Sequence, residues 1–152
     1  MKITFDDNKL RKYANDDRLA EKKLGSLVNK KIAVLGLAFK PGTDDTRESP
    51  AILIIKELLA RKAVVFAYDP IVNKKNVTWP LKDLPFEFSE SLSHAIENKD
   101  ACLLVTSWKE FEHIVPMALK KDAVMPLFID GRGFFYNKNI GKKIKYLGPK
   151  LV

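Results

Sequence analysis

Cysteine and histidine are scarce in this chain of 152 residues, which contains one cysteine, Cys102, and two histidines, His94 and His113. A single cysteine cannot form an internal disulfide, and unpaired thiols are typical of the reducing cytoplasm, so we expect a cytoplasmic location. Three scattered residues of these types do not form a typical zinc site, so no metal centre is expected. Cys102 lies inside the apolar run ACLLV and is predicted to be an unreactive packing residue.

Long hydrophobic runs are also absent, because the longest ones, such as residues 101–105, have only the length of a strand. A transmembrane helix needs about 20 apolar residues, so we expect no membrane association. The first ten residues, MKITFDDNKL, carry acids where a signal peptide needs an apolar core. With 46% hydrophobic and 30% charged residues, the composition is that of an ordinary soluble globular domain.

Acidic residues are fewer than basic ones. The chain has 19 aspartates and glutamates against 27 lysines and arginines, which gives a formal charge of +8. This excess favours anionic partners, including nucleotide phosphates and nucleic acid. Single strands could bind a patch of lysines near the C-terminus, with the nearby aromatic residues Phe134, Phe135 and Tyr136 available for stacking. Nucleic acid is nevertheless the less favoured partner, because a solvated rim explains the same lysines, which are Lys138, Lys142, Lys143, Lys145 and Lys150.

Apolar strands alternate with helical segments from residue 31 onward, which predicts βαβ units and a mostly parallel α/β sheet. The predicted strands are 31–36, 63–68, 87–88, 101–106, 127–130 and 143–147. The predicted helices are 49–62, 91–98 and 108–120, the last one bent or ended by Pro116. A further helix near residues 8–27 predicts a helical arm at 1–29, followed by one domain at 30–152.

The most informative segment is IAVLGLAFKPGTDDTRESP at residues 32–50, which reads as strand, long loop and helix. Its glycines fit neither the G-x-G-x-x-G fingerprint of dinucleotide-binding domains nor the phosphate-binding Walker pattern. Ligands of open α/β sheets bind outside the carboxyl ends of the strands, so a lysine in this loop, Lys40, suggests an anionic ligand. Taken alone, however, the residue types favour a solvated loop lysine, and Asp44, Asp45 and Arg47 could simply pair with one another.

A second cationic side chain, Arg132, follows the predicted strand at 127–130 in the sequence Asp130–Gly131–Arg132. It is expected at the same edge of the sheet as Lys40. A guanidinium there could bind a carboxylate, a phosphate or a pair of sugar hydroxyls in a forked geometry. It could equally be a turn arginine at a tight bend.

The order Phe39–Lys40–x–Gly42–Thr43–Asp44–Asp45–x–Arg47–x–Ser49–Pro50 closely resembles the C-terminal domain of the UDP-glucose/GDP-mannose dehydrogenase family. Weaker features of that family follow in the right order over residues 30–147. They are Tyr68–Asp69–Pro70, Thr106–x–Trp108 with Phe111, and Asp130–Gly131–Arg132.

The resemblance implies a Rossmann-like three-layer domain that holds the nucleotide of a UDP-sugar. In complete enzymes of the family, NAD⁺ oxidises the sugar C6 alcohol to a carboxylate in a cleft between this domain and an N-terminal NAD-binding domain. A central helical region dimerises those enzymes. By resemblance, Phe39, Lys40 and Arg132 contact the nucleotide sugar, and Arg47 reaches towards NAD. Asp44 and Asp45 are expected to shape the loop.

Two departures from the family stand out. Gly133 takes the place of an asparagine that commonly follows Asp-Gly-Arg, and this places the local geometry of Arg132 in question. The catalytic cysteine motif, the acid/base residues and the dinucleotide fingerprint lie upstream in the family and do not appear here. We therefore expect no catalytic residue and no dehydrogenase activity in this chain alone. Its expected partners are a UDP-sugar, the missing domains and, as one possibility, further copies of itself.

Two alternatives stay open at this point. The chain could be a noncatalytic Rossmann-like module that docks or regulates another subunit. Within the enzyme interpretation, the sequence leaves the base (uridine or guanosine) and the sugar undetermined.

Overall fold

The computed structural model describes residues 16–118, 120, 124–135 and 146–147. Its strands are β1 (Lys31–Leu35), β2 (Val64–Tyr68), β3 (Glu87–Phe88), β4 (Ala101–Leu104), β5 (Leu127–Asp130) and β6 (Tyr146–Leu147). They form a six-stranded parallel sheet in the order β3-β2-β1-β4-β5-β6. This is the strand order of a Rossmann fold, whose topological switch point lies between β1 and β4. The predicted α/β class and parallel sheet are confirmed.

The described helices are α1 (Asp16–Leu24), α2 (Pro50–Ala60), α3 (Leu92–Ile96) and α4 (Ile114–Ala118), with 3₁₀ helices at Leu81–Asp83 and Lys109–His113. The single helix predicted at 108–120 is therefore wrong, because it consists of a 3₁₀ segment followed by α4. Pro116 is the third residue of α4, where a backbone N–H has no intrahelical acceptor, so the proline costs no hydrogen bond. Residues 8–15 and 143–145, which belong to two other predicted elements, lie outside the described residues.

The start of α2 follows directly from its sequence. Ser49 has an extended backbone, and its Oγ accepts a hydrogen bond from Ala51 N at 3.2 Å. Pro50 occupies the first helical position, where its missing N–H is not needed. Ala51, Ile54, Ile55 and Leu58 of this helix are buried, while Ile52 and Leu59 are only partly buried.

The core consists of two apolar clusters, one on each face of the sheet. Ile32 and Val34 of β1 belong to one cluster and Ala33 and Leu35 to the other, as the alternation of side chains along a strand requires. All four side chains are buried, which is typical of a parallel strand covered by helices on both faces.

The segment before β1 contributes to this core. Ala20 of α1 and Leu27 are both buried in the first cluster. The division into an arm at 1–29 and a domain at 30–152 stays a prediction, but Ala20 and Leu27 pack into the core of the sheet domain.

Cys102 lies in the middle of β4 and is fully buried. Burial raises the pKa of its thiol, so the reactive thiolate is disfavoured at neutral pH. Across the described part of the chain, no helix combines the length and apolar character needed to cross a bilayer. In the same residues, no group of three or more potential metal ligands comes together.

Candidate functional site

The candidate site begins where β1 ends, at Gly36. This residue has a φ of 98°, and a Cβ added to it would lie 2.6 Å from both N and Oγ1 of Thr106, which follows β4. The Thr106 hydroxyl donates a hydrogen bond to the Ala38 carbonyl oxygen at 2.6 Å. Gly36 therefore lets the loop after β1 pass directly over the end of β4, at the switch point of the sheet.

A buried aspartate, Asp69, organises the loops at this edge. Its Oδ2 accepts hydrogen bonds from Leu37 N at 2.7 Å and Ala38 N at 3.0 Å. The same oxygen accepts from the Trp108 indole at 3.1 Å. Its Oδ1 accepts from two backbone N–H groups of the next loop, Ile71 N and Val72 N, both at 2.9 Å. One carboxylate thus joins the loop after β1, the loop after β2 and the residues after β4.

The position of Asp69 bears directly on dinucleotide binding. In a dinucleotide-binding Rossmann domain, the turn after β1 receives the pyrophosphate and an acid at the end of β2 binds the ribose. Here the backbone N–H groups of Leu37 and Ala38 are already bonded to Asp69, and Asp69 is itself saturated with donors. The described residues therefore do not fit a dinucleotide held at this turn.

Beyond Ala38, the loop closes on itself and presents Phe39 and Lys40. Phe39 N donates to the Asp45 carbonyl oxygen at 2.9 Å, and Asp45 N donates to Thr43 Oγ1 at 3.1 Å. Phe39 is partly exposed and Lys40 is exposed, with its Nζ 5.3 Å from the centre of the Phe39 ring. The closed loop therefore holds an ammonium group and an aromatic ring together beside the switch point.

Arg47 lies on the outer side of the same loop, with 82% of its side chain exposed. It forms a forked pair with Asp45, with Nη2 2.7 Å from Oδ2 and Nε 3.0 Å from Oδ1. Hydrogen bonds from Arg47 lower the pKa of Asp45 to about 2. Because the pair is open to water, it contributes little to stability, and the guanidinium can be redirected to a ligand at small cost.

Thr46, between Asp45 and Arg47, is buried, and its hydroxyl lies 2.9 Å from the hydroxyl of Thr78. This bond ties the candidate loop to the connection between β2 and β3. The sequence gives no local signal for it, because the two threonines are far apart along the chain.

Arg132 is held at the end of β4 rather than extended into solvent. Its Nε donates to the Val105 carbonyl oxygen at 2.6 Å, and its backbone N donates to Asp130 Oδ1 at 3.1 Å. Asp130 is buried, and its Oδ2 accepts from Phe135 N at 2.9 Å and from the Tyr146 hydroxyl at 2.6 Å. Burial, followed by the bond to Asp130, raises the pKa of the Tyr146 hydroxyl.

The predicted substrate residues are thus brought to one place. Ala38, which precedes Phe39 and Lys40, is bonded to Thr106, and Arg132 is bonded to the adjacent residue, Val105. The loop that bears Lys40 and the turn that bears Arg132 are therefore both held at the end of β4. Arg47 lies farther along the loop and directly follows Thr46, which is bonded to Thr78. A lysine, an aromatic ring and an arginine at a switch point can bind an anionic, sugar-bearing ligand.

Residues 33–137 match the UDP binding domain of the UDP-glucose/GDP-mannose dehydrogenase family. This match includes the loop after β1, the end of β4 and the Asp130–Gly131–Arg132 turn. The chain belongs to this family.

Curated relatives share the sequence over much of the chain. A UDP-glucose 6-dehydrogenase of Rickettsia felis is 35% identical over 154 aligned residues, which cover 99% of this chain and 34% of the relative. A UDP-glucose 6-dehydrogenase of Bacillus subtilis is 39% identical over 116 residues, which cover 74% of this chain and 25% of the relative. The chain therefore spans about a third or less of the length of these family members.

Solved structures of the family share the fold. A UDP-glucose dehydrogenase of Pyrobaculum islandicum superposes with a TM-score of 0.67 at 26% identity, covering 95% of this chain and 29% of that one. The GDP-mannose dehydrogenase of Pseudomonas aeruginosa superposes with a TM-score of 0.64 at 21% identity, covering 92% and 31% of the two chains. At 21% identity, this second similarity is evidence for a shared fold and not for a shared function.

The departure from the family motif at Gly133 has a simple geometric explanation. Gly133 has a φ of 69°, in the left-handed region that glycine adopts freely. Asparagine is among the few other residues that enter this region readily. Glycine and the family's usual asparagine therefore suit the same backbone, and the exchange is compatible with the bonds that hold Arg132.

A separate cleft of about 390 Å³ lies at the opposite, amino edge of the sheet, lined by Lys23, Leu24, Lys99, Asp100, Met125, Pro126 and Leu127. Lys99 has a structural role there, because its Nζ donates hydrogen bonds to the carbonyl oxygens of His94 and Glu97 at the end of α3. It also lies 4.3 Å from the centre of the Phe66 ring. The cleft is distant from the switch point, and none of the residues predicted to bind substrate lines it.

Proposed function

We propose that this chain binds the diphosphate and the sugar of a UDP-sugar at the carboxyl edge of its sheet. The observation that carries the proposal is that two cation-bearing segments are held at the end of β4. The loop that bears Lys40 is held through the bond between Ala38 and Thr106, and Arg132 is bonded to Val105. Ligands of open α/β sheets bind at such a switch point. Lys40 is the exposed point charge for the phosphates, and Phe39 contacts the nucleotide sugar beside it.

The bonds to Asp130 and Val105 restrict how Arg132 can act. Because its Nε is used by the Val105 carbonyl oxygen, the side chain approaches a ligand from a fixed direction. Fixing a donor before the ligand arrives reduces the entropy lost on binding. We assign Arg132 to the sugar side of the ligand, with Lys40 on the diphosphate.

The complete enzyme would oxidise the C6 alcohol of the sugar, with NAD⁺ accepting the hydride. The turn after β1 does not fit a dinucleotide, so NAD⁺ would be held by the additional length that the relatives carry. In that assembly Arg47, on the outer side of the loop, would face the cofactor. Binding energy gained here, away from the reacting carbon, would position that carbon for hydride transfer. Assembly with further copies and the cytoplasmic location stay predictions.

Replacing Lys40 with alanine should weaken UDP binding at least about tenfold, since hydrogen bonds to charged groups contribute about 1.5–3 kcal/mol. Isothermal titration of the chain with UDP measures the effect. Lys56→Ala is the matched control, because Lys56 is an exposed lysine on α2 and its loss changes the net charge equally. Equal UDP affinity in the Lys40→Ala protein and the unchanged chain would remove Lys40 from the site.

The alternative function is the one that the sequence also allowed, a noncatalytic module that docks or regulates another subunit. It differs from our proposal in one measurable respect: the chain would have no preference for a nucleoside diphosphate over other anions of equal charge. Competition of UDP against inorganic pyrophosphate in the same titration separates the two.

A further inference from the structure

Trp79 is an unusually exposed aromatic side chain, with 74% of its surface open to solvent. Large aromatic residues are buried on average, so a solvent-exposed tryptophan is a candidate for a functional role. Ile71, on the same connection between β2 and β3, is also exposed, at 39%. Both lie beyond the carboxyl end of β2, at the edge of the sheet that carries the candidate site.

The backbone that carries Trp79 is fixed on both sides. The preceding residue, Thr78, is bonded through its hydroxyl to the buried Thr46, and its carbonyl oxygen accepts from Lys82 N at 3.1 Å. Leu81, two residues after Trp79, is fully buried. An exposed aromatic ring on a fixed backbone is a preorganised surface, because little conformational entropy remains to be lost when a ligand contacts it.

The neighbours of Trp79 indicate the chemistry of that ligand. The Thr46–Thr78 bond joins the residue before Trp79 to the loop that carries the Asp45–Arg47 pair, and the same loop presents Lys40. An aromatic surface next to cationic side chains suits a ligand with a flat ring and phosphates. Every nucleobase offers such a ring for stacking, whatever its hydrogen-bonding groups.

We propose that Trp79 is a stacking surface for the base ring of a nucleotide whose phosphates lie on the loop at residues 36–50. The inference rests on the proposed nucleotide-binding function and adds the residue that recognises the base. We assign the ring to the nucleotide of the sugar substrate, because the turn after β1 does not fit a dinucleotide.

The chain contains only two tryptophans, Trp79 and Trp108, so fluorescence can report on the ring directly. Trp108 is partly buried, with its indole bonded to Asp69. We expect UDP to quench the emission of the unchanged chain and to leave most of the emission of Trp79→Phe unaffected. Calorimetry should show that Trp79→Ala binds UDP roughly tenfold more weakly, in the range found for other base–aromatic stacks, while inorganic pyrophosphate binds both proteins equally.

Val124→Ala is the control for loss of an exposed apolar side chain. Val124 is 88% exposed and precedes β5, at the opposite edge of the sheet, so its replacement should change neither titration. Thermal unfolding of Trp79→Ala close to that of the unchanged chain would exclude a folding defect.

Three outcomes would count against the inference. Equal UDP affinity in Trp79→Ala and the unchanged chain, with pyrophosphate still bound, would overturn it and leave the proposed diphosphate site intact. An equal loss of UDP and pyrophosphate binding would mean that Trp79 shapes the loop instead of contacting a base, which also overturns it. Absence of binding by UDP and pyrophosphate alike, at millimolar concentrations, would remove the proposed function together with the inference.

Discussion

Asp69→Ala is expected to lower the free energy of unfolding by at least about 4 kcal/mol, because each buried donor left without an acceptor costs about 1–3 kcal/mol. Asp69 accepts from four backbone N–H groups and from the Trp108 indole, and its side chain is buried. Domains of this size are stable by only about 5–15 kcal/mol, so the variant should be close to unfolding. Urea denaturation followed by circular dichroism measures the change.

Two variants make the Asp69 prediction specific. Asp69→Asn keeps one acceptor oxygen but turns an NH₂ group towards the remaining donors, so its stability should fall between those of the unchanged chain and Asp69→Ala. Asp83→Ala removes an exposed aspartate from the 3₁₀ helix and should change stability little. If Asp69→Ala were as stable as Asp83→Ala, Asp69 would not organise the loops as described.

Gly36→Ala should destabilise the domain by about 3 kcal/mol or more, because two separate costs add at this position. An alanine would be held at a φ of 98°, which side-chain-bearing residues rarely adopt. Its Cβ would also overlap the backbone and side chain of Thr106, so the loop or the end of β4 must move. The midpoint of thermal unfolding measures the loss, and UDP titration of the folded fraction should show weakened binding.

Gly42→Ala provides an internal control for the steric part of this effect. Gly42 also has a positive φ, 88°, but a Cβ there would have nothing within 4 Å. Only the backbone cost of about 1–2 kcal/mol then remains. If Gly36→Ala were as stable as Gly42→Ala, the close approach of the loop to Thr106 would be contradicted.

The sheet could be predicted from the sequence because its signals are local. Apolar runs bounded by helical segments are enough to locate β1, β2, β4 and β5 along the chain. The predicted strands 31–36 and 101–106 are too long at their carboxyl ends, where Gly36 and Thr106 leave the sheet to build the site. Both segments stay buried there, so an apolar pattern does not mark the point at which pairing ends.

The site was predictable only in part. Lys40, Arg47 and Arg132 follow strand ends, and a known topology brings such residues to one edge. Their surroundings depend on contacts between distant parts of the chain, such as Asp69 with Leu37 and Thr78 with Thr46. The exposure of Trp79 was equally hidden, because the sequence alone does not distinguish a core tryptophan from one left at the surface.

The central claim is that a nucleoside diphosphate binds at the carboxyl edge of the sheet, and amide chemical shifts measured during a UDP titration test it most directly. We predict that the largest shifts fall on the amides of Phe39, Lys40, Thr106 and Arg132. Shifts confined to the cleft at the amino edge, around Lys23, Lys99 and Asp100, would contradict the claim. So would a spectrum that UDP leaves unchanged at millimolar concentration.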